Sequence, residues 1–210
     1  MSLAPAAPVV AQRVGLFGGA FDPPHRAHRA LAEAALTALR LDRLHILPTG
    51  HAWHKSRTLS DANHRLAMCR LAFGDLPAAY VDDREIRRAT ATYTVDTLEE
   101  LHAVYPDGQL FLLIGEDQLA AFKSWRRWQD VLSMATLVVA ARTDAQGQSR
   151  LHGAPDLPFQ RLDMPLSPVS STNIRALAAT GAQGLESLAA LVPEAVASYI
   201  SLHSLYQQPS

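Results

Sequence analysis

The chain has a single cysteine in 210 residues, Cys69, so no internal disulfide framework can exist, and the composition fits a reducing compartment. The same residue lies within a helical pattern, where a small buried apolar side chain is expected rather than a nucleophile. Charge of one sign is also missing. Nineteen Lys and Arg against twenty Asp and Glu give a net charge of −1, which excludes a nucleic-acid binder working through bulk positive potential and leaves only a local anion site. No apolar run reaches the ~18–20 residues of a membrane span. Residues 1–12 lack a basic start and an apolar core, so they read as a disordered lead-in and not a signal peptide. A cytoplasmic protein, with residues 13–210 as one domain, is the expectation.

Several sites are missing their parts. Gly15, Gly18 and Gly19 do not spell G-x-G-x-x-G, and no acidic residue closes the second strand, which argues against a dehydrogenase. His25, His28, His45, His51 and His54 supply imidazole, but no Cys or Glu stands at ligand spacing beside them, so zinc ranks below phosphate contact. Two ordinary surface histidines are the other alternative. No Ser-His or Cys-His nucleophile pair is evident.

What is present alternates. Apolar runs at 14–17, 43–48, 79–82, 110–115, 136–141 and 159–164 read as strands. Helical patterns occupy 30–39, the stretch after Asp61, 95–104, 117–122, 125–132 and the region beyond Thr172, while 83–91 and 143–158 read as connections. That order specifies an α/β fold, a doubly wound parallel sheet covered on both faces with a helical C-terminal part. Ligands then sit beyond the carboxyl ends of the strands, where Gly18-Gly19, residues 48–55, residues 115–117 and Arg142 should converge.

Two clusters carry chemistry. After the first strand, Gly18-Gly19 permit a close turn, Asp22 is a candidate N-cap ahead of Pro23-Pro24, and His25 and His28 lie three apart on an opening helical turn. Imidazoles and first-turn amides would there face an anion. In Ser170-Ser171-Thr172-Asn173-Ile174-Arg175, hydroxyls and a guanidinium gather at another helix start. That pattern is equally a plain N-cap.

Taken together the clusters are specific. Gly18-Gly19-Ala20-Phe21-Asp22-Pro23-Pro24-His25-Arg26-Ala27-His28 resembles the G-G-x-F-D-P-x-H-x-G-H signature of the nucleotidyltransferase superfamily. Ser170 to Arg175 resembles its I-S-S-T-x-I-R motif. His54-Lys55, Thr92-Tyr93-Thr94 with Thr97-Leu98, and Ile114-Gly115-Glu116-Asp117 resemble the intervening P-H-K, S-Y-T-x-x-T-L and I-G-x-D segments. The ordered set is similar to the bacterial nicotinate-nucleotide adenylyltransferase family. The chain departs from the pattern at Ala27, at Ala52-Trp53 and at Arg126.

The resemblance implies a Rossmann-like fold and AMP transfer from ATP to nicotinate mononucleotide, in NAD biosynthesis, with Mg2+ carried by the ATP phosphates. It implies phosphate roles for His25, His28, Lys55 and Arg175, with His28 stabilising the transition state. ATP would be bound by Gly18, Gly19, Phe21, His25, His28, Ser170, Ser171, Thr172, Ile174 and Arg175. On the acceptor side stand Tyr93 and Thr94 through their N–H groups, Gly115, Asp117 toward ribose, Trp125 as a stacking plate or a core residue, and Arg142. Nicotinamide mononucleotide, phosphopantetheine or a flavin mononucleotide are alternative acceptors, and a non-catalytic nucleotide-binding regulator is a further alternative. Nucleic acid and membrane are not expected partners; a homo-oligomer stays open.

Overall fold

The computed structural model describes the chain apart from residues 1–11, 51–58, 144–155, 166, 168, 182–183, 185–186 and 208–210. The strands are β1 (Arg13–Gly19), β2 (Arg43–Pro48), β3 (Ala79–Val81), β4 (Gln109–Gly115), β5 (Ala135–Thr143) and β6 (Gln160–Pro165). The helices are α1 (Arg26–Ala38), α2 (Ala62–Phe73), α3 (Arg84–Arg87), α4 (Thr94–Val104), α5 (Glu116–Ala120), α6 (Trp128–Met134), α7 (Ser171–Ala178) and α8 (Glu194–Leu202).

Among the described residues, six strands form one parallel sheet in the order β3-β2-β1-β4-β5-β6. The chain winds outward from β1 to β3, returns to the centre at β4 and winds out the other way. The carboxyl ends of β1 and β4 therefore flank the switch point, where connections diverge to opposite faces and leave a crevice.

Both faces of the central strands are dry. On β4, Leu110, Leu112 and Ile114 pack toward α4, α5 and α6, while Phe111 and Leu113 pack toward the layer of α1, α2, α7 and α8. This is why residues 110–114 form an unbroken apolar run and not an alternating one. Cys69, expected to be buried, is fully so on α2, and burial pushes its thiol well above the usual range. Asp61 caps α2 as expected, its Oδ1 accepting from Asn63 N at 2.8 Å.

Three local expectations are corrected. α1 starts at Arg26 with His25 as its N-cap, so Asp22 is not the cap and the prolines precede the helix instead of opening it. The connection 83–91 contains a short helix, α3. Trp125 falls between a 3-10 turn (Phe122–Ser124) and α6, because Arg127 takes a left-handed conformation (φ 52°) that breaks the helical path. Among the described residues, no helix is long and apolar enough to cross a membrane.

Candidate active site

The turn after β1 is built around two imidazoles. His25 Nδ1 accepts from His28 N at 3.4 Å, and His28 Nδ1 accepts from His25 N at 3.2 Å, a reciprocal cap made by two histidines. Their rings stack, with centroids 3.6 Å apart and planes 17° from parallel. Because Nδ1 is an acceptor in both rings, the hydrogen bonds assign the proton of each neutral ring to Nε2, which is thereby a donor. Phe21, held in a left-handed conformation (φ 46°), sets its ring edge-on to His28 at 5.1 Å and also against Phe17 and Phe73. Gly19 leaves room for that ring, since a Cβ there would lie 3.2 Å from it.

The helix amides contribute less than the sequence implies. Arg26 N donates to Leu191 O at 3.0 Å and His28 N is taken by His25, so two first-turn donors of α1 are committed within the protein. The imidazoles, and not the helix dipole alone, are what this end offers an anion.

The second cluster closes directly on the first. Ser170 caps α7, its Oγ accepting from Asn173 N at 3.2 Å, as the plain reading of the motif expects. Ser171 Oγ donates to Pro23 O at 3.0 Å, and Arg175 Nη1 donates to Asp22 O at 2.8 Å, with Nη2 on Thr172 Oγ1 at 3.1 Å. Ile174 is buried beneath, anchoring α7. The hydroxyls expected to meet an anion thus act first as stitching between α7 and the turn before α1.

A buried guanidinium fixes the same turn from behind. Arg65, on α2 and 2% exposed, donates from Nε to Ser60 O at 2.9 Å and from Nη1 to Ala20 O at 3.0 Å and Thr49 O at 2.7 Å. Burial lowers its affinity for a proton, and the nearby Asp22 carboxylate opposes that effect. Asp22 itself accepts from Tyr206 OH at 2.8 Å and from Ser60 N at 3.2 Å. Here lies the reason it does not cap α1.

Beside this turn, between the ends of β1 and β4, opens a cavity of about 410 Å³, within the range of small-molecule sites. Its inner wall is apolar, from Leu16, Leu47, Leu112 and Ile114; Gly18, Gly19, Tyr93, Thr94, Asp117 and Trp125 line it as well. No atom lies within 4 Å of a Cβ built on Gly18 or on Gly115, so backbone at the ends of β1 and β4 is open to close approach. Trp125 is half-buried, its ring 5.1 Å from that of Phe122, so it serves as cavity wall and as packing together. Arg126 also lines the cavity and lies over the Tyr93 ring at 4.5 Å.

Among the polar groups of this cavity that sequence reasoning did not single out are Glu85 on α3 and the side chain of Thr92. Glu85 lay within a charged run that reads as solvated connection, and Thr92 drew notice only as part of a motif. Glu85 is 7% exposed and accepts from Thr97 Oγ1 at 2.9 Å. Burial pushes its carboxyl up to about 7, with Thr97 and Arg88 opposing and Asp82 and Glu100 adding to the rise.

That proton makes stability depend on pH. The folded protein keeps it up to about pH 7, whereas an unfolded chain releases it near 4.5. Stabilisation by the neutral carboxyl is therefore full below the unfolded value and is lost as pH rises through the folded one, about 3 kcal/mol in all. Glu85→Gln should accordingly match the wild type near pH 4.5 and exceed it at pH 8 by up to about that amount in urea unfolding. A difference constant across pH would refute the assignment.

Not every expected residue converges. Lys55, His51 and His54 lie outside the described residues. Of Arg142, only the backbone is described, within β5. His45 belongs elsewhere: it is buried on β2, with Nδ1 2.8 Å from Asp82 Oδ2 and Nε2 3.2 Å from Tyr105 OH, and it does not line the cavity. Among the described residues, no group of three or more His, Cys, Asp or Glu is placed to hold a metal ion.

Comparison with known proteins gives one consistent family. A family model described as cytidylyltransferase-like matches residues 16–177. A probable nicotinate-nucleotide adenylyltransferase of Albidiferax ferrireducens is 51% identical over 199 residues, covering 93% of this chain and 98% of that protein. A protein of the same description from Methylibium petroleiphilum is 39% identical over 202 residues, covering 94% of each. Among solved structures, Plasmodium falciparum nicotinic acid mononucleotide adenylyltransferase complexed with NaAD superposes with a TM-score of 0.75 at 15% identity, over 93% of this chain and 97% of that one. A putative nicotinate-nucleotide adenylyltransferase from Vibrio parahaemolyticus gives 0.65 at 18%, over 94% and 97%. Matched over most of its length by that model and by relatives of this identity, the chain belongs to the nicotinate-nucleotide adenylyltransferase family.

Proposed function

We propose that the protein transfers AMP from ATP to nicotinate mononucleotide. A 5′-phosphate oxygen of the mononucleotide attacks the α-phosphorus, forming the new P–O–P linkage as the bond to the β-phosphate's bridging oxygen breaks. Deamido-NAD and pyrophosphate leave, and the proposed setting is the cytoplasm, as a step of NAD biosynthesis. The observation that carries this reading is the junction of two unlike compartments at one switch point. A ring-sized cavity with an apolar inner wall adjoins a turn that offers two imidazoles and a guanidinium.

In this reading His25, His28, Arg175 and Lys55 hold phosphate oxygens, and His28 meets the charge that builds up in the transition state. Gly18 and Gly19 let the nucleotide approach the backbone, Phe21 fixes the imidazole pair, and Ser170 to Ile174 form the facing wall. Trp125 stacks on the pyridine ring, Tyr93 and Thr94 offer N–H groups to its carboxylate, Asp117 receives ribose hydroxyls, and Gly115 and Arg142 complete the acceptor side. A divalent cation, Mg2+ in this proposal, would be carried by the ATP phosphates.

The test is a panel of acceptors with ATP and Mg2+: nicotinate mononucleotide, nicotinamide mononucleotide, phosphopantetheine and flavin mononucleotide. Pyrophosphate release and product mass are read for each. The reading expects the highest kcat/KM with nicotinate mononucleotide and a product mass equal to deamido-NAD. Preference for another acceptor, or tight ATP binding without turnover, would replace it.

A further inference from the structure

Among the described residues, Thr92 Oγ1 is the buried side-chain oxygen that has no hydrogen-bond partner. Thr92 is 7% exposed, lines the cavity, and immediately precedes Tyr93, the N-cap of α4. Leaving a hydroxyl dry and unpaired carries a real cost, so its persistence beside an open cavity calls for an occupant. The chain makes room for that hydroxyl on its other side as well. A Cβ on Gly50 would lie 3.1 Å from Thr92 Oγ1 and 2.0 Å from Glu85 O, so glycine at the exit of β2 lets α3, β2 and the Thr92 segment meet without filling the space.

The chemistry of the acceptor fits this position. Its pyridine nitrogen carries the ribose and, through it, the phosphate, which must reach the turn of His25 and His28. Carbon 3 of the ring, which bears the carboxylate, then points away from the phosphates into the depth of the cavity. A carboxylate carried there loses its water and needs donors in exchange. Thr97 cannot supply its hydroxyl proton, because it already donates to Glu85.

We infer that Thr92 is a substrate-binding residue whose hydroxyl donates a hydrogen bond to the 3-carboxylate of the pyridine ring, beside the amide donors at the start of α4. The inference rests on the acceptor being nicotinate mononucleotide. Thr92 selects for an oxygen acceptor on ring carbon 3. It takes no part in the transfer of AMP, so it acts on acceptor binding and not on the chemical step.

Thr92→Val keeps the shape and removes the hydroxyl; Thr92→Ser restores the hydroxyl without the methyl. The Val variant should raise KM for nicotinate mononucleotide by about 10- to 100-fold, with kcat and the KM for ATP within about 3-fold of wild type. The Ser variant should recover most of that loss. Because the valine has no unpaired oxygen to bury, its thermal midpoint without substrate should equal or exceed that of the wild type. An unchanged KM for nicotinate mononucleotide, or a lowered midpoint with all kinetic constants falling together, overturns the inference alone. A wild type that adenylylates no nicotinate mononucleotide overturns the functional reading and the inference with it.

Discussion

Replacing His28 with alanine is expected to lower kcat for AMP transfer roughly 10²- to 10³-fold, with far smaller changes in KM for either substrate. The ring is oriented before substrate arrives. Its Nδ1 is held by His25 N, its face by the His25 ring, and its edge by Phe21. An Nε2 donor fixed in this way needs no reorganisation when charge moves onto the oxygens of the α-phosphorus, and that is the condition under which a single donor counts for most. Structure should be affected only modestly, since one capping acceptor contributes about 1 kcal/mol. His25→Ala is the contrasting variant: His25 is 6% exposed and caps α1 with its own Nδ1, so both rate and thermal midpoint should fall. If His28→Ala turned over nicotinate mononucleotide at near-wild-type kcat, the transition-state role would be lost.

Arg65→Met should cost about 3–5 kcal/mol of unfolding free energy at pH 7, a fall in thermal midpoint on the order of 10 °C for a domain of this size. Buried ion pairs can often be exchanged for apolar groups at little loss, but only when all partners leave together. Here that route is closed, because Arg65 serves three main-chain carbonyls, those of Ser60, Ala20 and Thr49, which no side-chain substitution removes. Each acceptor left dry costs on the order of 1–3 kcal/mol, and the Asp22 carboxylate loses a neighbouring cation as well. Methionine returns some packing of the aliphatic stem, which is why the expected total lies below the sum. Arg65→Lys should recover only part, since an ammonium cannot spread its donors as the planar fork does. Urea unfolding read by far-UV circular dichroism decides it; a loss under 1 kcal/mol for Arg65→Met would mean that the carbonyls find water.

The sheet was readable because its signals are local. β2 spans Arg43–Pro48 as expected, an apolar run that a proline stops, and β4 differs from expectation by one residue at its start. The two motif clusters were readable for the same reason, and the structure joins them through Ser171 and Arg175. Long-range partners decided what was not readable. Asp22 before two prolines has every local mark of a helix cap, yet its oxygens are claimed by residues 38 and 184 positions away. Glu85 looks solvated within Asp82-Asp83-Arg84-Glu85, and only the packing of α3 against β2 and α4 shows that it is buried. Trp125, read as a stacking plate or a core residue, lines the cavity but lies outside the helix expected over 125–132, since nothing in composition marks Arg127 as left-handed.

The hydrogen bond from Tyr206 to Asp22 bears on how the protein matures. β1 lies at the middle of the sheet, but the turn at its end is secured by Leu191 O, Ser171 and Tyr206, with Ser171 and Tyr206 lying 148 and 184 positions downstream of the residues they hold. A nascent chain can pair β1 with β2 and bury much of that face long before the residues that lock this turn exist. The turn that carries His25 and His28 is thus locked after the central strands can pair, by segments far downstream in the chain.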